Sequence, residues 1–442
     1  MKELKIKDNS RVPKGDFAEI GNLANKIANK SLGRLEREGA FVFPEFVADA
    51  KDLTKDQMVL QSVDDKYRSG NVMGSLGCGK ERLVIESRFS GSNEDYFFQY
   101  LIERVLDFPN ILDLKSDADR DDRLFKFLLF LFPHYLKRAL RKGLFKKYVR
   151  NEYNDGNLTG VVDIARHIKL NTPFVGNIAR VRREFSYDND LMELARHAIE
   201  FVKGSYGNVP LARVKDEANL VIEATPRYEP RDRRKIVEAN KKNPVRHAYF
   251  REYDALRRLC LLILRREGSW IGSGSRQLSG VLFDGAWLWE EYVGSLINEA
   301  FYHPMNKDRK GAQSLFDGKE GKIYPDFISR DAETRIVADA KYKRFDNIKN
   351  KDYLQILAYM FRFDAKTGYC LYPEAEGKDD QTLRMNRGSS YEKNVAPRDD
   401  VRLVKHGLKI PMDAENYETF VERIKLAENE FRQGLVLPPQ PE

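Results

Sequence analysis

Cysteine is scarce in this sequence: Cys78, Cys260 and Cys370 each lie more than a hundred residues from the next. That spacing excludes a disulfide framework and a cysteine-built zinc site, and it points to a reducing cytoplasm as the setting. The histidines, His134, His167, His197, His247, His303 and His406, are equally scattered, which leaves no local zinc-binding or histidine-based nuclease motif. Long hydrophobic runs are missing as well. The longest apolar block, residues 127–132, follows Lys126 and stops at Pro133, far short of the ~20 residues that cross a bilayer. The opening MKELKIKDNSRVPKGDF has no continuous apolar segment, so neither a membrane protein nor an exported one is expected. A further absence is a single hydroxyl. GSLGCGK, from Gly74 to Lys80, fits the start of a phosphate-binding loop, but Glu81 stands where a Ser or Thr would ligate magnesium. The stretch RLVIESRF that follows reads as a strand rather than a helix, so the glycines are expected to serve a turn between two strands. Any nucleotide is then bound by another chain.

What the chain does hold is length, charge and pattern. At 442 residues it exceeds one compact core and indicates two or three domains of roughly 100–200 residues each. An apolar fraction of 42% beside one third charged residues describes a soluble globular protein. The net charge of +8 is unevenly placed, because residues 227–266 carry thirteen Lys and Arg against five Asp and Glu, an excess equal to that of the whole chain. Such a segment, with Arg233, Arg234 and Lys235 as a dense run, fits phosphate-backbone binding or, equally, a solvated helix face. Apolar periodicity predicts helices over 17–38, 95–106, 122–148 with a break near Pro133, 190–203 and 244–266, with 41–89 mainly extended. Two apolar runs, 161–168 and 178–185, flank NTPFVG and predict a long two-stranded hairpin over 160–185, made basic by Arg166, His167, Lys169, Arg180, Arg182 and Arg183. GSWIGSGSRQLSG, residues 268–280, is the best linker, and residues 375–399 are polar enough for a mobile loop.

The segment KIYPDFISRDAETRIVADAKYK, residues 322–343, carries the chemistry. It reads as two short strands, 323–328 and 335–342, joined by a polar turn. Asp339 and Lys341 are two apart and share a face, and pairing within the hairpin brings Asp326 beside them. Two carboxylates and an ammonium in that arrangement suit metal-dependent phosphodiester hydrolysis: hard oxygens hold magnesium, the ion neutralises charge on the phosphate, and the lysine positions or helps deprotonate a water. The pattern D-x-K occurs seven times, but only at Asp339 does it follow a Pro-Asp in a partner strand and precede a helix. An ordinary surface hairpin with a salt bridge is the alternative. A helix over 288–301 sets Glu290 at the edge of its apolar face, near a metal or facing solvent. A helix over 351–361 places Gln355 and Tyr359 four apart, able to brace the strand or touch a nucleic-acid backbone, unless Tyr359 faces the core.

Together, Glu290, Pro325-Asp326, Asp339-Ala-Lys341 and Gln355-x-x-x-Tyr359 resemble the PD-(D/E)XK nuclease superfamily with its Q-x-x-x-Y helix. LWEEYVGSLI, VADAKYKRF, DYLQILAYMF and, upstream, NDGNLTGVVDIARHIKLN with REFSYDND narrow the resemblance to McrC, the nuclease subunit of McrBC-type modification-dependent restriction systems, from about residue 148 onward. The resemblance implies a partner, a hexameric AAA+ GTPase of the McrB type that carries the DNA-recognition domain, whose GTPase McrC stimulates while cutting the DNA. It also implies the fold: an α+β N-terminal region with a long β-hairpin, then a C-terminal α/β PD-(D/E)XK nuclease domain with a mixed sheet flanked by helices. Domains are expected at 1–120, an extension longer than in the best-known members; at 121–267, a partner-binding α+β region; and at 281–442, the endonuclease. The hairpin 160–185 would enter the pore of the ring, with Arg166, Lys169, Arg180 and Arg182 as partner contacts.

The function expected is that of a magnesium-dependent DNA endonuclease subunit acting on DNA that carries a modification. Asp326 and Asp339 are the metal ligands with Glu290, Lys341 is the water-orienting base, Gln355 supports them, and Arg233, Arg234, Lys235 and Tyr359 touch DNA. A non-cutting DNA-binding adaptor that activates a motor is the alternative, and the intact trio weighs against it. An RNA-processing nuclease would use the same trio.

Overall fold

The computed structural model describes residues 2–43, 57–91, 94–105, 121–245, 248–250, 252–269, 278–304, 312–331, 333–388 and 396–436. Most of the expected linker, 270–277, lies outside them. The chain divides into two compact units rather than three successive domains: Met1–Ile111 with Ser275–Glu442, and Leu112–Gly274.

The first unit contains two large sheets. One runs in the order Lys2–Lys7, Glu81–Glu86, Val72–Cys78, Leu278–Asp284, Ala40–Phe43. Its fourth strand is antiparallel to Val72–Cys78 and parallel to Ala40–Phe43. A segment that straddles the expected start of the nuclease domain, at residue 281, therefore completes the sheet of the N-terminal region. Ile6, Leu76, Leu83 and Leu282 pack there against Phe17, Ile20, Leu23, Leu32 and Leu35, which belong to a 3-10 turn and two short helices, Gly21–Ile27 and Leu32–Glu38, instead of one helix over 17–38. The stretch GSLGCGKE is a β-hairpin, with Gly77 opposite Arg82 and Cys78 opposite Glu81. Gly79 at its turn has φ +63°, which glycine adopts without a Cβ penalty. No helix N-terminus follows Lys80 to cradle a phosphate.

The other sheet of the unit runs Phe301–Tyr302, Phe327–Ser329, Ile336–Ala340, Thr367–Glu374, Ala396–Lys409, Gln381–Arg387. Ile336–Ala340, Thr367–Glu374 and Ala396–Lys409 are mutually parallel, and the outer pairings are antiparallel. Every residue of Thr367–Glu374 is buried, as a parallel strand covered on both faces requires. Helix Asn350–Arg362 packs on it through Ile356, Tyr359 and Met360, against Val337, Cys370 and Tyr372. A Cβ at Gly368 would stand 2.5 Å from Ile356 Cγ2 and 2.6 Å from Met360 Sδ, so the glycine sets how closely the helix lies. On helix Gly285–Ile297, Trp289 Nε1 donates to Leu371 O at 3.0 Å. Residues 381–387, expected within a mobile loop, instead form a strand whose side chains are almost all exposed; backbone pairing with Ala396–Lys409, not apolar alternation, makes it one.

In the second unit, helix Asp121–Leu140 runs on through Pro133 without the expected break. Burial of Leu129, Leu131, Phe132, Tyr135, Leu136 and Ala139 offsets the backbone hydrogen bond that a proline removes. Strand Lys147–Asp155 pairs antiparallel with Ile178–Ser186 along its whole length. That pairing corrects the hairpin expected over 160–185, because the first run holds only the short strand Val161–Val162 and a helix, Ile164–Leu170. Ile164 and Ile168 stand four apart, at helical spacing, and Asp163 caps the helix by accepting from Arg166 N at 3.1 Å. No helix among the described residues is long and apolar enough to cross a membrane.

Candidate active site

The two strands of the 322–343 segment pair antiparallel, with Phe327 opposite Ala338 and Ile328 opposite Val337. One step further along that register sets Asp326 opposite Asp339. Asp326 Oδ2 accepts from Ala340 N at 2.8 Å, which fixes the carboxyl against the second strand. Lys341, two residues beyond Asp339, turns its ammonium to the same face and forms an ion pair with Asp339 Oδ2. The ammonium also donates to Gln355 Oε1 at 2.9 Å and lies 3.7 Å from Asp352 Oδ1. Gln355 Nε2 donates to Tyr359 Oη at 2.6 Å and reaches Asp339 Oδ1 at 3.5 Å. Tyr359 Oη in turn donates to Tyr324 O at 3.1 Å. One amide thus joins the strand, the helix and the loop before Asp326.

Helix Asn350–Arg362 presents Gln355 correctly because its buried positions, Asp352, Ile356, Tyr359 and Met360, face the sheet. Asp352 accepts from Lys349 N at 3.2 Å in the first turn, where a carboxylate also favours the helix dipole. Burial opposes the charge of Asp352, but the hydrogen bond from Lys343 Nζ, 2.7 Å long, and the Lys349 amide hold its carboxyl below the usual range.

Charge at the site is unbalanced. Burial, then the charges of Asp339 and Glu290, push the Asp326 carboxyl well above its ordinary value. Burial alone would lower the Lys341 ammonium, yet Asp339, helped by Asp326 and Asp352, holds it above its ordinary value and therefore charged. The expected third ligand, Glu290, is 8% exposed and stands 3.7 Å from His303 Nε2. His303 Nδ1 makes a 2.8 Å hydrogen bond with Asp326 O. Among the described residues, no three His, Cys, Asp or Glu side chains are spaced as a ready metal cage. A magnesium ion does not need one, since one or two carboxylates with waters and substrate phosphates commonly suffice. Asp326 and Asp339 supply hard oxygens of that kind, and the mutual repulsion of three carboxylates is what a divalent ion would relieve.

The family model described as McrBC 5-methylcytosine restriction system component matches residues 67–373. The chain belongs to this McrBC family. Among solved structures, a chain of the refined half-complex from a tetradecameric assembly of Thermococcus gammatolerans McrB AAA+ hexamers with bound McrC is 16% identical, with 98% of this chain and 99% of that chain covered at a TM-score of 0.49. A chain of the Thermococcus gammatolerans McrBC complex is 13% identical, with 67% and 87% covered at a TM-score of 0.33. No curated protein matches the sequence.

In this McrBC-family chain the remaining expected residues fall into two groups. Tyr359, expected as a DNA contact, is 4% exposed; with its hydroxyl engaged on both sides it braces the site instead of offering a surface. Arg180, expected as a partner contact, is also 4% exposed, clamped by Asp155 at 3.0 Å and by Thr159 O and Oγ1. Arg166 is half-buried on Tyr153 O at 3.1 Å and Glu152 at 3.4 Å. Lys169 and Arg182 are exposed. Arg234 and Lys235 are exposed on helix Arg233–Lys242, Lys235 beside Asp232 at 3.5 Å, while Arg233 is half-buried with its guanidinium over the Phe201 ring. Sequence reasoning missed His303 and Asp352 at the site, since neither belongs to a D-x-K or Q-x-x-x-Y pattern. The cap position of Asp352 was the one signal that could have drawn attention to it.

Proposed function

We propose that this chain is the DNA-cutting subunit of a McrBC-type restriction complex, a magnesium-dependent endodeoxyribonuclease of the PD-(D/E)XK type that works in the cytoplasm. The observation that carries this reading is the meeting of Asp326, Asp339 and Lys341 on neighbouring strand ends, with Lys341 gripped by Gln355, in a chain of this family. Asp326 and Asp339 would hold the magnesium, and Glu290, with His303 beside it, would add negative charge. When bound, the ion supplies Lewis-acid stabilisation of charge developing on the phosphate. Lys341, held by Asp339 and Gln355, would orient the attacking water. Gln355 and Tyr359 keep that ammonium in place, and the sheet beneath excludes water from one side.

The partner in this reading is an AAA+ GTPase of the McrB type. The chain's own contribution is the arm of the second unit, the strand pair Lys147–Asp155 and Ile178–Ser186 with residues 156–177 between them, which exposes Leu158, Val161, Ile164, Ile168, Phe174 and Val175. Large apolar side chains exposed together in one segment are the kind of surface that a protein partner covers.

The test uses the purified chain with its GTPase partner, GTP, magnesium and modified plasmid DNA. Asp339→Asn and Lys341→Ala are expected to abolish nicking and double-strand cutting while circular dichroism and partner binding stay unchanged. Undiminished cutting by either variant refutes the site, and GTPase stimulation without any cutting by the parent chain would make it an adaptor.

A further inference from the structure

The ribbon formed by Lys147–Asp155 and Ile178–Ser186 has one face that the proposed partner contacts at its tip do not explain. Tyr148 stands directly opposite Phe185, and Arg150 directly opposite Arg183. Residues two apart on a strand share a face, so the aromatic pair and the arginine pair form consecutive rungs on one side of the ribbon. Tyr148 and Phe185 are 62% and 57% exposed, with ring centroids 5.0 Å apart. The Arg183 guanidinium lies 5.6 Å from the Tyr148 ring, and the Lys146 ammonium lies 5.7 Å from Phe185 and 4.3 Å from Tyr187. The nearest acid on the same face, Glu152, is engaged by Arg166.

Two arginines opposed across a strand pair repel each other, and large exposed rings cost hydration. A sequence keeps both on one face at a cost unless something anionic and flat covers them. An acidic peptide would answer the cations but not the rings. A duplex would offer phosphates but keep its bases stacked inward. A single strand of nucleic acid offers both phosphates and free base faces.

We propose that this face, Lys146, Tyr148, Arg150, Arg183, Phe185 and Tyr187, is a binding platform for single-stranded nucleic acid, with bases stacking on the rings and phosphates on the arginines. The proposal deepens the nucleic-acid-cutting reading and rests on it for its biological sense. It requires no nucleotide in the second unit and no sequence specificity, since stacking tolerates every base.

The experiment measures fluorescence anisotropy of a labelled oligo(dT) of roughly 20 nucleotides titrated with the full chain in EDTA at several salt concentrations. Tyr148→Ala with Phe185→Ala is expected to weaken binding about tenfold or more. Tyr148→Phe with Phe185→Tyr, which keeps both rings, is expected to restore it. Arg150→Gln with Arg183→Gln is expected to lower the slope of log affinity against log salt by about 1.4. Parent-like isotherms for both disruptive pairs overturn the proposal. So does a loss of GTPase-partner binding with oligo(dT) binding unchanged, which would assign the face to the protein partner. The two readings are separated because the isotherms are read in EDTA, where no magnesium-dependent cutting occurs: a parent chain that binds oligo(dT) through this face but never cuts with magnesium would sink the nuclease reading alone.

Discussion

Replacing Gln355 by leucine tests the site at the point where its parts are joined. The substitution removes the 2.9 Å bond from the Lys341 ammonium and the 2.6 Å bond to Tyr359; the 3.5 Å approach to Asp339 is at the limit of a hydrogen bond and contributes little. A bond from a charged donor is worth roughly 1.5–3 kcal/mol when buried. Gln355 is half-buried, and Lys341 keeps Asp339 and Asp352 as partners, so a stability loss of about 1–2 kcal/mol is expected, a fall of a few degrees in Tm. The catalytic cost should be larger than the structural one. The ammonium remains charged and nearby but loses the contact that aims it, and a displacement of about 1 Å can cost on the order of 100-fold in rate. Gln355→Glu should recover part of that rate, because it returns an acceptor to Lys341 while losing the donor to Tyr359. Single-turnover cleavage of plasmid DNA with magnesium, alongside a thermal melt, measures both quantities. Parent-rate cutting by Gln355→Leu at normal stability would show that Lys341 needs no aiming, and would refute the role given to the helix.

Gly368→Val should push helix Asn350–Arg362 off the sheet through Ile356 and Met360, lowering Tm by several degrees and cutting with it; a variant that melts and cuts like the parent would contradict the close seating. Asp95, whose carboxyl burial raises to about 7 despite amide donors from Ser87 and Phe98, binds its proton more tightly when folded, so its contribution to stability is full below about pH 4 and lost as pH rises to about 7, about 2–4 kcal/mol across that window. Urea melts of Asp95→Asn across this range should show a flatter pH dependence than the parent, and an unchanged slope would contradict the burial. On the arm, Ile164→Ser with Ile168→Ser should abolish stimulation of the partner's GTP turnover while Lys80→Ala leaves it intact; the opposite pattern would revive the glycine loop at Gly74 as a nucleotide site.

Much of the site was legible because its residues are local. Asp339 and Lys341 are adjacent on one strand face, Asp326 is brought across by a short turn, and Gln355 lies one helix away, so strand and helix periods alone place them together. The arm was misread for a local reason too: Val161 and Val162 look extended, but the cap at Asp163 and the spacing of Ile164 and Ile168 belong to a helix, and the true partner of Ile178–Ser186 lies upstream in Lys147–Asp155. Residues 381–387 escaped notice because an edge strand with exposed side chains has no apolar rhythm to read. Least visible were contacts across long separations, where no pattern in a single sequence says which distant strand completes a sheet.

Those distant contacts bear on the region whose role the sequence left open. Tyr342 follows Lys341, and successive side chains of an extended chain point to opposite faces. Lys341 turns to Gln355, and Tyr342 turns to the N-terminal sheet, where its hydroxyl bonds Ser87 Oγ at 2.7 Å and Met73 Sδ at 3.3 Å. The Arg88 guanidinium lies 4.8 Å from the ring, and Phe89 meets it edge-on with centroids 5.1 Å apart. Arg88 is itself fixed by a buried ion pair with Asp8 and a 2.6 Å bond to Asn71 Oδ1. A buried arginine is costly to desolvate unless it is fully paired, and here the pairing comes from Asp8 and Asn71, both in the N-terminal region. The N-terminal region thus holds the far side of the strand end that carries Lys341, while the Gln355 helix holds the near side. A group that must aim an ammonium to a fraction of an ångström is best fixed from both faces of its strand.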